Sequence, residues 1–455
     1  MKYFIKTMGC QMNVHDSEKI AGVFSESGYD GSEDSKNADV IVLNTCSIRE
    51  KAEQKFFSEL GRLKKVKKHK PHLKIAVAGC IAQQKGKEIF IKYPYVDFIF
   101  GPNNIDNLQS WIEASGVERR VSDVKDGQQD MSLRSTPDAR RSTAVNDNPE
   151  YHTKILPMKR IGRVKAWVSI MYGCNNFCTY CVVPYTRGRE RSRPPEDIYN
   201  EIQALADQGF TEVTLLGQNV NSYGKTLKGN IDFPDLLKKI HTIEKIRRIR
   251  FVTSHPRDFS DNLINTMKEL PKVCRHLHLP VQSGSDRVLE AMNRGYTYDE
   301  YKNKIDLLKE SIPGIAITTD IIAGFPGETE EDFDRTMTAL SDVEYDGIFA
   351  FKYSRRPGTK ALDLPDHINE EIKSGRLSQI LKLQESVTFR KNKTLEGESP
   401  EILVESKSGT DPDKMTGRTG TNKIVNFCGD NDDIGKIIQV KILKARMHSL
   451  DGEKI

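Results

Sequence analysis

The 455-residue sequence contains no run of 18 or more apolar residues, the length that a helix needs to cross a bilayer. Its first residues, Met1–Met8, lack the long apolar core of a secretory signal and are expected to form a buried strand. Net charge is only +5, so the molecule as a whole is not a polycation. These absences exclude a membrane span and predict a globular cytoplasmic protein of about three domains.

Cysteines are also few, with eight in the chain, but three of them stand close together. Cys174, Cys178 and Cys181 have the spacing C-x3-C-x2-C and directly follow the apolar run Ala166–Met171. Three thiolates on one loop can hold three irons of a 4Fe-4S cluster and leave the fourth iron open. The alternative, a structural zinc site, needs a fourth ligand. None lies at a suitable spacing, since the nearest following His and Cys are His241 and Cys274.

This cysteine loop resembles the signature of the radical S-adenosylmethionine (SAM) enzymes. The resemblance implies that the open iron chelates the amino and carboxylate groups of SAM. It also implies that the reduced cluster cleaves SAM to a 5′-deoxyadenosyl radical.

Residues 1–120 alternate between strand and helix patterns, which predicts a doubly wound parallel sheet. Cys10, Cys46 and Cys80 each stand where a predicted strand ends. The carboxyl ends of parallel strands line the ligand crevice of such sheets, so the three thiols are expected to converge on a second 4Fe-4S cluster. The alternative for any single one of them is a buried structural cysteine.

The sequences around these cysteines resemble the N-terminal domain of the methylthiotransferases. They are Lys6–Asn13, Asn44–Lys55 and Ala78–Cys80. Within them, Ser47–Lys55 is most similar to the methylthiotransferases that act on tRNA carrying N(6)-dimethylallyladenosine.

The rest of the chain divides into further segments by composition and periodicity. Six strand–helix units predict a partial (β/α)6 barrel, and several short strands near the C-terminus predict a small antiparallel β-barrel. The C-terminal stretch Gly417–Phe427 resembles the TRAM domain, an RNA-binding module. The expected domains are 1–120, the methylthiotransferase N-terminal domain; 121–160, a linker; 161–383, the radical SAM barrel with a connecting helix; 384–449, the TRAM domain; and 450–455, a tail.

Polar and Gly-rich turns follow the predicted barrel strands, where barrel chemistry gathers. Their order after the cysteine loop resembles the SAM-contacting elements of the radical SAM family. By that resemblance, Gln218 contacts the SAM amino group, Gln282 and Ser283 approach the adenosyl moiety, and Gly324 lies in a further SAM-binding turn. His255, His276 and His278 also stand near strand ends, as catalytic groups or as hydrogen-bonded structural histidines.

Candidate RNA contacts are local clusters of basic residues. Arg62–Lys70 is one, with a solvated helix face as the alternative, and Arg187–Arg193 is another, expected to contact RNA or SAM near the cysteine loop. In the predicted C-terminal barrel, Arg418 and Lys423 can contact phosphates, while Phe427 can either stack on a base or lie in the core.

The resemblance implies an enzyme with two 4Fe-4S clusters that acts on position 37 of tRNA. One SAM supplies the radical and a second supplies the methyl group. Expected partners are the anticodon stem-loop of tRNA, an electron donor protein and a sulfur source that the sequence does not identify. The six cysteines, Cys10, Cys46, Cys80, Cys174, Cys178 and Cys181, carry both the metal and the catalytic roles.

Three other functions are compatible with the same cysteines. One is methylthiolation of an aspartate in a ribosomal protein, and another is methylthiolation of threonylcarbamoyl adenosine in tRNA. The third is a non-catalytic iron–sulfur protein that binds RNA.

Overall fold

The computed structural model describes residues 1–46, 50–114, 142–145, 156–409 and 411–455, without the side chains of 50–52. The first residues of the Ser47–Lys55 stretch and most of the expected linker lie outside these ranges. The chain forms two compact units, Met1–Ile161 with Val182–Arg189, and Gly162–Cys181 with Glu190–Ile455.

The first unit is built on a six-stranded parallel sheet. Its strands are β1 (Lys2–Met8), β2 (Asp30–Gly31), β3 (Val40–Thr45), β4 (Lys74–Gly79), β5 (Phe98–Phe100) and β6 (Ser142–Ala144). Its long helices are α1 (Gln11–Glu26), α2 (Glu50–His69), α3 (Cys80–Lys92) and α4 (Asn107–Ala114). The strand order is β2-β1-β3-β4-β5-β6, so β1, β3 and β4 are neighbours.

Helices cover both faces of this sheet. Phe24 of α1 and Trp111 of α4 pack on one face, while Phe56 of α2 and Ile89 of α3 pack on the other. Both faces of β3 and β4 are therefore buried, as parallel sheets require. The predicted doubly wound parallel sheet is confirmed.

The second unit begins with six parallel strands in two three-stranded sheets, β11-β10-β7 and β12-β13-β14. A single bridge between Ile249 and Val273 lies where the two sheets meet. The strands are β7 (Lys165–Ser169), β10 (Glu212–Leu216), β11 (Arg248–Phe251), β12 (His276–His278), β13 (Ala316–Ala323) and β14 (Gly347–Lys352), and a short hairpin pairs β8 (Met171–Tyr172) with β9 (Arg191–Ser192). This arrangement confirms the predicted partial barrel.

Helices surround these strands, and their apolar faces form the core of the barrel wall. They are α6 (Pro195–Asp207), α7 (Phe233–His241), α8 (Asp261–Glu269), α9 (Asp286–Ala291), α10 (Tyr298–Ser311), α11 (Glu330–Val343) and α12 (Glu370–Lys393). The short helix α5 (Val183–Thr186) belongs to the first unit, although it follows the cysteine loop directly in sequence.

Five strands at the C-terminus close into a barrel in the order β15-β16-β17-β19-β18. They are β15 (Glu401–Lys407), β16 (Met415–Thr419), β17 (Ile424–Cys428), β18 (Ile437–Ala445) and β19 (Leu450–Lys454). The expectation of a tail at 450–455 is wrong, because β19 lies there and its Leu450 is buried in the barrel core. The barrel is also not wholly antiparallel, since β19 pairs parallel to β17.

None of the helices in the described ranges combines the length and the apolar content that a bilayer crossing requires.

Candidate active site

The first cysteine triad assembles at the carboxyl ends of three neighbouring strands. Cys10 caps α1 after β1, Cys46 directly follows β3, and Cys80 is the first residue of α3 after β4. The Cys46 thiol hydrogen-bonds with both other thiols, so Cys46 lies between Cys10 and Cys80. The convergence expected from the sequence is therefore present in the fold.

Hydrogen bonding within this triad separates the thiols by acidity. The bond from Cys46 lowers the pKa of Cys10 to about 6 and the pKa of Cys80 to about 7, and the Arg187 guanidinium adds to both shifts. As the donor, Cys46 has its pKa raised well above the ordinary value for a thiol. Metal ligation needs thiolates, and two of the three thiols favour that form.

Two glycines allow the triad to close. A side chain on Gly9 would meet Cys46 Cβ at 2.6 Å, and one on Gly79 would meet the Thr45 carbonyl oxygen at 2.5 Å. Gly79 also has φ +90°, which favours glycine. Both turns preceding a cysteine thus depend on the absence of a side chain.

Arg187 supplies the positive charge beside this triad. Its guanidinium donates to Asp16 Oδ2 at 2.7 Å, and both side chains are buried. The sequence placed Arg187 in a basic run expected to contact RNA or SAM. Burial of its side chain contradicts an RNA contact, and a SAM contact stays a prediction. Its partner, Asp16, is 171 positions away, and no local pattern indicates such a pair.

The second triad, Cys174, Cys178 and Cys181, lies on the loop after β8. Cys174 Sγ accepts from the backbone N–H of Asn176 at 3.4 Å, and Cys178 Sγ accepts from Arg294 Nη1 at 3.4 Å. Burial raises the pKa of Cys174 to about 11. The loop is pinned by Asn293, whose side chain donates to the carbonyls of Asn176 and Phe177.

Sequence reasoning missed Arg294. The residue is buried and donates to the Pro280 carbonyl at 2.7 Å and to Tyr296 Oη at 2.9 Å as well as to Cys178. A sequence separation of 116 residues from Cys178 leaves no signal in spacing or periodicity.

Both triads fit a 4Fe-4S cluster in the chemistry of their donors. No group of three His, Cys, Asp or Glu side chains in the described part of the chain is arranged around one point, as a single metal ion would need. A cluster makes a different demand, because each thiolate binds its own iron. Three thiols on one side of a cluster leave one iron open.

The predicted SAM contacts lie at the ends of barrel strands, and their role stays a prediction. Gln218 is half-buried after β10, and Gln282 has φ +75° beside β13. The Ser283 hydroxyl is fully buried and pairs with Thr336 Oγ1 at 3.2 Å, within the barrel wall. Gly324 donates to Glu328 Oε2 at 2.7 Å, and Lys373 fills the space that a side chain there would need.

The three histidines occupy different environments. Burial lowers the pKa of His255 to about 2 and the pKa of His276 to about 3, so both are neutral at physiological pH. His278 instead lies on the inner face of the barrel, with Nε2 3.5 Å from Asp320 Oδ1.

The expected RNA contacts on the C-terminal barrel are mostly internal. Phe427 is buried in the barrel core, so the stacking alternative for this residue is wrong. Lys423 forms an ion pair with Asp346 at 3.2 Å, and Arg418 donates to Asn422 Oδ1 at 3.2 Å.

Three family matches follow the architecture along the chain. Residues 2–101 match the uncharacterized protein family UPF0004, residues 168–340 match the radical SAM superfamily, and residues 393–455 match the TRAM domain. The fold and the cysteine loop therefore define a radical SAM protein with an added cysteine-bearing domain and a TRAM domain.

Relatives along the full length identify the family. A protein from Thermodesulfovibrio yellowstonii is 52% identical and covers 99% of this chain and 98% of its own length, and one from Carboxydothermus hydrogenoformans is 48% identical with the same coverage. Both are named tRNA-2-methylthio-N(6)-dimethylallyladenosine synthase. The chain belongs to this family.

Solved structures share the fold at low identity. The radical SAM methyltransferase TsrM from Kitasatospora setae, determined with cobalamin and a 4Fe-4S cluster, superposes with a TM-score of 0.52 at 15% identity. That match covers 79% of this chain and 74% of TsrM. The cobalamin-dependent SAM radical enzyme OxsB also gives 0.52, at 12% identity over 85% of this chain and 56% of its own.

Proposed function

We propose that this chain converts N(6)-dimethylallyladenosine at position 37 of tRNA to its 2-methylthio derivative. The observation that carries the proposal is the presence of two separate thiol triads. One stands on a single loop, and the other is assembled from three strand ends of the first unit. A single triad would suffice for a radical generator, so the second triad indicates an additional chemical task.

Each triad would hold one 4Fe-4S cluster. When bound, the cluster on Cys174, Cys178 and Cys181 with SAM would supply the one-electron chemistry that removes hydrogen from an unactivated ring carbon. The cluster on the other triad would hold or deliver the sulfur, with a second SAM as methyl donor. Carbon 2 of adenine offers no plausible acid–base route to a C–S bond.

The chain's own residues prepare both sites. Arg294 holds Cys178 through a charge-assisted contact and ties the cysteine loop to Pro280. Arg187, held by its buried ion pair with Asp16, places a positive charge beside Cys10 and Cys80, which favours their thiolate forms. Cys174 and Cys178 are buried and Cys181 is half-buried, which limits the access of water to these thiols.

tRNA is the proposed partner, through its anticodon stem-loop. The exposed basic face of α2, formed by Lys64, Lys65 and Lys68, suits contact with phosphates. We further propose that the protein works in the cytoplasm, where its tRNA substrate is found, and receives electrons from a separate donor protein. The immediate sulfur source is not assigned.

The alternative substrates, a ribosomal aspartate and threonylcarbamoyl adenosine, are not favoured. The relatives quoted above carry the dimethylallyladenosine name at 48–52% identity over nearly the full chain. A non-catalytic iron–sulfur protein that only binds RNA would not need two triads that each leave an iron open, so this alternative is not favoured either.

The decisive experiment is anaerobic incubation of the reconstituted protein with tRNA, SAM and a reductant, followed by nucleoside mass spectrometry. We expect Cys174→Ala to abolish SAM cleavage, because it removes a ligand of the radical-generating site. Cys46→Ala should leave SAM cleavage measurable and eliminate the methylthio product.

The control is Cys428→Ala, since Cys428 is exposed and lies outside both triads. This variant should match the wild-type protein in both measurements. Modification of a ribosomal protein alone, with tRNA unchanged, would contradict the proposed function.

A further inference from the structure

Two phenylalanines lie exposed on the inner face of the barrel. Along β14, Ile348 and Ala350 pack against the barrel core, and the alternate residues Phe349 and Phe351 are 51% and 38% exposed. Side chains alternate between the faces of a strand, so the two rings project from the face opposite the core.

The neighbouring strands place polar groups beside these rings. Phe349 is paired with Asp320 of β13, and Phe351 with Ile322. His278 of β12 contacts the Phe349 ring edge-on at 5.8 Å, and its Nε2 is 3.5 Å from Asp320 Oδ1. We call Phe349, Phe351, Asp320 and His278 the inner aromatic face.

This face lies where a substrate is expected. Barrel chemistry gathers at the carboxyl ends of the strands, and Phe351 is the penultimate residue of β14. Two rings two residues apart on a strand are about 7 Å from each other, which allows one planar base and its substituent to cover both. Aromatic side chains are the usual stacking surface for a base taken out of its RNA stack.

We propose that the inner aromatic face binds the prenylated adenine of the substrate. One phenylalanine stacks on the purine and the other packs against the dimethylallyl group. The Asp320 carboxylate accepts a hydrogen bond from the remaining hydrogen on N6. This inference rests on the proposed function and deepens it by naming the groups that read the base.

The chemistry of the face selects this occupant. Two apolar rings beside a carboxylate match an apolar substituent next to an N–H donor, whereas a phosphate would be repelled by Asp320. N1 separates C6 from C2 in the adenine ring, so a contact at N6 leaves the C2–H bond uncovered. The base is therefore held by the edge that does not react.

The test compares two anticodon stem-loop RNAs, one with N(6)-dimethylallyladenosine and one with adenosine at position 37. Affinities are measured anaerobically with the reconstituted full chain. Phe349→Ala and Phe351→Ala should each weaken binding of the prenylated loop by about 5- to 150-fold, the range for loss of one base–aromatic stack. The ring that stacks on the purine contacts both loops, so its loss should weaken binding of both. The ring that packs against the dimethylallyl group contacts only the prenylated loop, so its loss should lower the preference for that loop.

The hydrogen bond from N6 to the Asp320 carboxylate is tested by two substitutions. Asp320→Ala should weaken binding of the prenylated loop by roughly 10-fold or more, because it removes a charged acceptor. Asp320→Asn keeps an acceptor oxygen and should recover part of that loss. Unmodified adenosine also carries hydrogen on N6, so Asp320→Ala should weaken binding of both loops. If Asp320 served folding alone, folded Asp320 variants would bind both loops like the wild-type protein.

The matched control is Phe389→Ala on α12, which removes a ring of 43% exposure from a different surface and should bind both loops like the wild-type protein. Phe349→Leu and Phe351→Leu retain apolar bulk, so they keep the fold while losing the stack. Thermal unfolding of each variant verifies folding.

The inference is overturned if folded Phe349 and Phe351 variants retain the wild-type preference for the prenylated loop. Failure of the proposed function looks different, since the wild-type protein itself would then form no 2-methylthio product. Product formation by the wild-type protein together with unchanged affinities in the variants would refute the base-binding face alone.

Discussion

At the residue scale, charged side chains beside the cysteines influence the properties of a bound cluster, as the thiols themselves do. Arg294 is a positioning residue, because it contacts Cys178 Sγ at 3.4 Å and no reacting atom. Hydrogen bonds to ligand sulfur and nearby charge both influence the reduction potential of an iron–sulfur cluster. A buried guanidinium on a ligand should raise that potential.

We expect Arg294→Gln to shift the midpoint potential of the cluster on the 174–181 loop to a more negative value. A charge-assisted hydrogen bond contributes about 1.5–3 kcal/mol. For one electron, a contribution confined to one redox state would shift the potential by roughly 60–130 mV, which is the upper limit expected. Redox titration followed by electron paramagnetic resonance measures it directly.

Arg294→Lys keeps the positive charge and should lie closer to the wild-type potential. Arg335→Gln, on the exposed face of α11, should leave the potential unchanged. If Arg294 had only a structural role, the folded fraction of the Gln and Lys variants would show the wild-type midpoint potential.

At the element scale, the lysines of α2 occupy two different environments. Lys67 points inward to Asp97 at 2.5 Å and to the Tyr95 carbonyl at 2.8 Å, so it supports the fold. Lys64, Lys65 and Lys68 are exposed on the other side. The basic run therefore contains both of the alternatives considered from the sequence, a structural lysine and a solvated face available to phosphates.

Replacing Lys64, Lys65 and Lys68 with glutamine should weaken tRNA binding without changing which base is preferred. Each lost phosphate contact lowers the slope of log affinity against log salt by about 1, so the triple variant should lose up to about 3. Binding measured between about 50 and 200 mM salt gives the slope.

A charge-matched control replaces three other exposed lysines with glutamine. They are Lys238, Lys268 and Lys382, on α7, α8 and α12. Equal slopes for the two triple variants would mean that α2 makes no special contact with tRNA.

At the scale of the whole molecule, buried arginines join the C-terminal barrel to the (β/α) barrel within the second unit. Arg250 pairs with Glu212 at 2.9 Å and donates to the carbonyls of Thr419 and Gly420 at 2.6 and 3.1 Å. Arg248 donates to the carbonyls of Arg418 and Glu401. Deleting the C-terminal barrel would strip these guanidinium groups of their acceptors, so substitutions test its role more cleanly.

Arg250→Met should lower the free energy of unfolding by about 3–5 kcal/mol, because it leaves the Glu212 carboxylate buried and unpaired. Adding Glu212→Gln should recover part of the loss. Urea unfolding followed by tryptophan fluorescence measures both variants in a Trp111→Phe background, which leaves Trp167 in β7 of the same unit as the reporter.

Arg335→Met provides the comparison, since it breaks only an exposed pair with Glu331 and should cost at most about 1 kcal/mol. Equal losses for Arg250→Met and Arg335→Met would show that the buried arginine does not couple the two barrels.

The sequence alone determined the six cysteines, the doubly wound sheet, the partial barrel and the C-terminal barrel. These features depend on local periodicity and on short motifs, such as C-x3-C-x2-C, that are contiguous in the chain. Strand-end cysteines could be placed together because parallel strands carry their carboxyl ends to one edge.

Which side chains meet across long separations depends on the tertiary fold. Arg187 pairs with Asp16, Arg294 contacts Cys178, Phe427 turns into the core, and β19 closes the barrel in parallel. Phenylalanine is usually a core residue, but the register of β14 places Phe349 and Phe351 on the inner face of the barrel. A one-residue difference in that register would exchange the two faces, and this is information that composition does not carry.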